Sequence, residues 1–403
     1  MKIVHVITRL IIGGAQENTI LTCEGLAERG HDVILMAGPT TGPEGSLVER
    51  ARAGGREGAE RRYTYEEYAD LVRQISPLQD LRAVSVLKRR FRELKPDVVH
   101  THSSKAGVIG RVAAHQAGVP IVVHTIHGMA FNRTQSGIIQ SAFRFAERFC
   151  ARSSHAIVCV ADAMREQSLA AGVGRPEQFL TVRSGMETEQ FDPTLHDAAE
   201  VRAEWGIRPD EIVVGTIARL FVNKGYEQLI EVIELAARRD PRLKFVWVGD
   251  GADRGRYEAE LERRGLRDRV VLTGLLPPSL MPRVLSGFDM LAHTSQWEGL
   301  PRAVVQALLM EKPAISFEID GAPEIVRPGE TGELAPLGDV EAFAEAVLRL
   351  AGDESGRLAR GRLGRERCLH AFDWRTMVEH LDALYTRLVS RSGHLQPQGG
   401  VIM

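Results

Sequence analysis

The chain has little of what would place a protein outside the cell or inside a membrane. Its four cysteines, Cys23, Cys150, Cys159 and Cys368, are scattered over 403 residues and form no Cys-x-x-Cys pair. That excludes a disulfide framework and a zinc knuckle, and it suits a reducing cytoplasm. A charge or a glycine breaks every apolar run before it is long enough to span a bilayer, so any membrane contact is expected to be peripheral, on the inner face. The first strand starts at Lys2 with no basic and apolar leader before it, and no export is expected. Neither sign of charge is in excess, with 51 Lys+Arg against 53 Asp+Glu. Residues 1–190 hold 24 basic and 20 acidic side chains, residues 191–403 hold 27 and 33. This asymmetry is too mild for nucleic acid, but it leaves room for an anionic acceptor or membrane surface near the first half. No Asp-x-Asp pair offers a metal site.

What is present suits two globular domains, with 44% hydrophobic and 26% charged residues. Short β-branched runs alternate with longer helical patterns, as in parallel sheets covered by crossover helices. Strands are predicted at 2–7, 32–37, 97–100, 120–125, 155–160 and 179–182, and helices at about 15–29, 79–95, 104–117, 137–152 and 162–171. A second set of strands opens at Glu211 and continues at 243–248, 269–272, 289–293 and 313–317. The polar stretch from Phe191 to Asp197 reads as the linker. The fold class is therefore α/β: two Rossmann-like domains, 1–190 and 191–370, followed by a helix and a disordered tail from 391 to 403.

In such sheets ligands sit beyond the carboxyl ends of the strands, so the loops there carry the functional reading. The first strand is followed by Gly13-Gly14 before a helix, where backbone amides can approach a phosphate or sugar, and where a tight turn is the plain alternative. Arg219 and Lys224 follow the strand ending at Ile217. A planar fork and a point charge beside Gly225 suit a diphosphate better than two solvated cations would. Gly249 and Gly251, in Val248-Gly249-Asp250-Gly251, line a nucleotide or form an ordinary turn. Glu298-Gly299-Leu300-Pro301 leads into an apolar helix, with Pro301 expected at its first position and Gln306 two turns on from Glu298.

His100, His102, His124 and His127 stand at two neighbouring strand ends. A zinc set is disfavoured, because the four do not share a face and no carboxylate or thiolate completes them. His127, before Gly128, is read as a neutral hydrogen-bonding group aimed at a polar substrate. The segment 137–152 mixes Phe with Arg at helical spacing; a helix burying its Phe face is favoured over one lying on an anionic membrane.

The order glycine loop, strand-end His-Gly, Ala-Arg-Leu-x-x-x-Lys-Gly, Val-Gly-Asp-Gly, Glu-Gly-Leu-Pro and Gly-Ala-Pro-Glu-Ile-Val at 321–326 closely resembles family 4 of the retaining glycosyltransferases, over nearly the whole chain. The resemblance implies the GT-B fold, two Rossmann-like domains facing across a cleft, with a C-terminal helix at 371–390 returning to the N-domain. It also implies no cofactor, a nucleoside-diphosphate sugar as donor, and a polysaccharide or lipid-linked glycan as acceptor. Carried onto this sequence, His127, Arg219, Lys224 and Glu298 take catalytic roles. Gly14, Gly249, Gly251, Glu298, Gly299, Leu300 and Gln306 are donor-binding candidates, and Gly13, His102 and Lys105 acceptor-binding ones. Gln306 departs from the family pattern, which has Glu there for the nucleotide ribose; an amide keeps a hydrogen bond but loses the charge. The competing classes are a nucleotide-sugar epimerase or hydrolase of the same fold and a non-catalytic nucleotide-sugar-binding partner.

Overall fold

The computed structural model describes residues 1–42, 44–56, 58–132 and 135–393. The chain divides into two compact units, one of residues 1–186 together with everything from Trp374 on, the other of Glu187–Asp373. The boundary falls between Met186 and Glu187, four residues before the expected start of the second domain, so the stretch from Phe191 to Asp197 read as the linker lies inside unit 2; helix continues through Arg391, and the expected tail from 394 on lies outside the described residues.

Unit 1 is built on seven parallel strands: β1 (Lys2–Ile7), β2 (Asp32–Ala37), β3 (Thr64–Glu67), β4 (Val98–His102), β5 (Ile121–Ile126), β6 (Ala156–Cys159) and β7 (Phe179–Thr181). Their order is β3-β2-β1-β4-β5-β6-β7. Both faces are covered, which is why the inner strands read as near-continuous apolar runs. Along β1, Ile3 and Ile7 pack toward helices Gly14–Glu28 and Trp374–Arg391, while Val4 and Val6 pack toward helices Pro77–Leu94 and Ser104–Ala117. Helix Trp374–Arg391 contributes Trp374, Met377, Val378, Leu381, Leu384, Tyr385 and Val389 to that first face. It is thus part of the unit from which it is separated by almost two hundred residues of sequence.

Unit 2 repeats the plan with β8 (Ile212–Ile217), β9 (Leu243–Val248), β10 (Val270–Gly274), β11 (Met290–His293), β12 (Ala314–Phe317) and β13 (Gly332–Ala335), ordered β10-β9-β8-β11-β12-β13. Trp247, Phe245, Tyr226 and Phe343 fill its core. Two strands escape the sequence pattern, β3 (Thr-Tyr-Glu-Glu) and β13 (Gly-Glu-Leu-Ala). Each is a four-residue edge strand carrying charge, so neither shows an apolar run.

Candidate active site

Each sheet reverses its winding once, between β1 and β4 and between β8 and β11, and ligands of doubly wound sheets bind beyond the strand ends at that point. In unit 2 the loop after β8 carries Arg219 and Lys224, and the loop after β11 carries Glu298. Lys224 Nζ lies 2.5 Å from Glu298 Oε1. Gly225 makes that approach possible: it holds φ 71°, and a Cβ there would stand 1.9 Å from the Thr294 carbonyl oxygen. Thr294 Oγ1 closes the contact by donating to the Lys224 carbonyl at 3.0 Å.

Two residues that sequence reasoning passed over support Glu298. Asp320, itself at the left-handed φ of 44°, accepts the Glu298 backbone N–H at 2.6 Å. His293, the buried last residue of β11, has Nε2 3.6 Å from Glu298 Oε1 and Nδ1 2.9 Å from Ser316 Oγ. The signals available were weak, a His closing a strand and an Asp before the glycine of 321–326. Burial acts to raise the Glu298 carboxyl, but Lys224 and then His293 outweigh it and hold the group well below the usual carboxylate range. The site thus presents an ionised, oriented acceptor for hydroxyl groups beside an ammonium with N–H donors to share.

Arg219 is exposed, its guanidinium 5.1 Å above the Phe221 ring. Gly249 and Gly251 stand against this loop: a Cβ at 249 would lie 2.1 Å from the Ala218 carbonyl oxygen and one at 251 would lie 2.4 Å from that of Leu220. Their lack of side chains lets the β9 loop seat the Arg219 loop, the turn reading left open above. Pro301 caps the helix Arg302–Leu309 and is not its first residue, because its ψ of 91° is extended. Leu300 is buried, and the half-buried Gln306 amide has no hydrogen-bond partner among the described residues.

In unit 1, Gly13 is extended and Gly14 opens the helix after β1. His102 is buried, hydrogen-bonded to His5 and His127, and offers no surface to an acceptor. The expected acceptor contact is therefore corrected: at an inward position of a sheet covered on both faces, His102 reaches only other side chains. Lys105 is engaged as well, 2.6 Å from Asp80 Oδ1 and donating to the Gln74 carbonyl. His127 lies on a cavity of about 260 Å³ at the ends of β4 and β5, with Ser103, Ser104, Phe131, Glu147 and Val173. Glu147 comes from helix Gly137–Ala151, where it pairs with fully buried Arg111 at 2.7 Å. That polar anchor reverses the expected orientation of the helix: Ile138, Phe145 and Phe149 are 86%, 72% and 55% exposed.

Two doubly wound units of this kind define a GT-B protein. A family described as glycosyl transferases group 1 matches residues 197–367, and the glycosyl transferase 4-like domain matches residues 13–185. The chain is 27% identical to the Escherichia coli UDP-Gal:alpha-D-GlcNAc-diphosphoundecaprenol alpha-1,3-galactosyltransferase, over 96% of this chain and 97% of that one. It is 23% identical to the Staphylococcus aureus capsular polysaccharide biosynthesis glycosyltransferase CapM, over 80% and 85% respectively. Among solved structures it superimposes on Anabaena HepE in complex with UDP and glucose with a TM-score of 0.80, at 21% identity over 96% of this chain and all of that one. The chain belongs to family 4 of the glycosyltransferases and is a glycosyltransferase. Among the described residues no helix is long and apolar enough to cross a membrane.

Proposed function

We propose that the chain transfers a hexose or N-acetylhexosamine, with retention, from a nucleoside-diphosphate sugar to a hydroxyl of a lipid-linked glycan or cell-surface polysaccharide precursor. The observation that carries the donor assignment is the Lys224–Glu298 pair at the β8/β11 switch point, with Arg219 on the adjoining loop. As the bond from the anomeric carbon to the diphosphate breaks, positive charge builds on the sugar and negative charge on the leaving group. Arg219, Lys224 and the backbone at Gly299 and Leu300 oppose the latter, and fixed donors of this kind contribute about 3–4 kcal/mol each. Glu298 accepts from sugar hydroxyls, and Gln306 serves the ribose by hydrogen bonds alone. No protein nucleophile is assigned; the acceptor proton passes to an oxygen of the departing diphosphate. With cations in these positions the reaction needs no metal, and turnover persists in EDTA.

The acceptor class is supported by the named substrate of the Escherichia coli relative and by the outward face of helix Gly137–Ala151. Its exposed Ile138, Phe145 and Phe149 stand with the exposed Arg148 and, at the helix end, Arg152, an arrangement that suits the inner, anionic surface of a membrane. The test is turnover on a panel of nucleoside-diphosphate sugars, with a polyprenyl-diphosphate glycan in anionic liposomes and with water-soluble acceptors. Transfer to the liposome-borne glycan, lost when Phe145→Ser and Phe149→Ser are combined, supports the reading. Transfer only to soluble acceptors refutes the lipid-linked class, and sugar release without any acceptor refutes transferase specificity.

A further inference from the structure

Unit 1 holds a chain of three imidazoles that runs from the cavity into the core. His5 Nδ1 lies 2.9 Å from His102 Nε2, and His102 Nδ1 lies 3.0 Å from His127 Nε2. The register explains the alignment: β1 pairs His5 with His100 of β4, and His102, two residues on, shares that face. His100 is adjacent but stands outside the chain, because Tyr385 and Thr125 occupy its two nitrogens at 2.5 and 2.7 Å.

His5, His100 and His102 bring one nitrogen each to within 4.8 Å of one another, a spacing that admits a metal ion. A divalent cation there would sit wholly buried among neutral ligands with no carboxylate or thiolate in the set, and it would have to displace the hydrogen bonds just described. The arrangement is better explained by those bonds themselves.

A neutral imidazole carries one N–H and one lone pair, so a donor at one end of the chain forces every N–H to point the same way. Burial keeps the two inner rings neutral, pushing His5 down to about 3 and His102 well below its ordinary value. The far nitrogen, His5 Nε2, is buried with no hydrogen-bond partner. A proton entering from His127 therefore has no exit, and the chain is a brace, not a relay. If the N–H groups pointed inward, the orphan would be a buried donor; pointing outward they leave only an unfilled lone pair, the less costly defect.

We propose that His102 and His5 are positioning residues that hold His127 in one ring orientation and one neutral tautomer, with its proton on Nδ1. This rests on the reading that His127 meets the substrate, and the test separates the two. Imidazole 15N spectra of uniformly labelled protein, with His127 assigned by comparison with His127→Gln, should show two well-separated nitrogens with the proton on Nδ1. His5→Phe, which removes a ring that does not touch His127, should merge those signals toward a tautomer average and lower kcat by about tenfold or more, the scale of losing an orienting partner. His5→Gln, whose amide can still donate to His102, should restore both. An unchanged His127 spectrum in folded His5→Phe overturns the proposal. Should that variant not fold, wild-type protein decides alone: averaged nitrogens, or a proton on Nε2, overturn it. A shifted spectrum with unchanged kcat leaves the brace standing and removes His127 from the substrate.

Discussion

Replacing Lys224 by Met leaves Glu298 half-buried beside His293 without its 2.5 Å cationic partner. Stranding one member of a fully buried pair costs about 3–5 kcal/mol. Side-chain exposures of 15% and 22% admit some solvent here, so a loss of about 2–3 kcal/mol is expected for unit 2 at neutral pH. The pH dependence carries the sharper test. In the wild type the Glu298 carboxyl is depressed on folding, so its stabilisation is present above the unfolded carboxylate range and is lost only as pH falls through the still lower folded value. In Lys224→Met burial dominates and the folded value rises; the penalty is then relieved as the carboxyl takes up a proton in mild acid. The gap between the two proteins should be widest near pH 8 and narrow toward pH 4.5. Urea unfolding followed by tryptophan fluorescence reads it, because Trp205, Trp247 and Trp297 all lie in unit 2. A double-mutant cycle with Glu298→Gln should give a coupling of about 1–3 kcal/mol. A pH-independent gap, or a coupling near zero, refutes the reasoning.

Arg219→Ala should lower kcat by about a hundredfold while leaving thermal unfolding unchanged, since the side chain is exposed; near-normal turnover removes it from the diphosphate. Gln306→Glu should leave nucleotide affinity unchanged or tighter in a thermal-shift titration, in which ligand at a hundred times its Kd adds about 2.7 kcal/mol; a large loss would show that this donor requires the amide. Gly225→Ala should destabilise unit 2 by about 2 kcal/mol or more, because the new methyl meets the Thr294 carbonyl and the backbone holds φ 71°; a protein of wild-type stability to urea contradicts the packing described.

The sheets were legible because buried parallel strands are written as uninterrupted apolar runs: the predicted 2–7, 32–37 and 243–248 coincide with β1, β2 and β9. The edges β3 and β13 were not, being short and charged. Strand-end position brought Arg219, Lys224 and Glu298 to notice, and glycines marked the loops between them. What the sequence withheld was pairing across distance. His102 reads as a surface ligand until β4 is seen to be covered on both faces, and His5 has no signal until its register with His100 is known. Helix Gly137–Ala151 was misjudged because a Phe stripe ordinarily outranks one acid, yet Glu147 meets the fully buried Arg111 and turns the stripe outward.

Helix Trp374–Arg391 has a consequence for the order of events during synthesis. The seven side chains it lays against β1 and its neighbours leave the ribosome only after all of unit 2. Unit 2 can therefore complete its core while unit 1 still exposes an apolar sheet face, contrary to the usual precedence of the amino-terminal domain. A nascent chain halted before Trp374 would carry one finished unit and one open one, and would call on chaperones for the half that was made first.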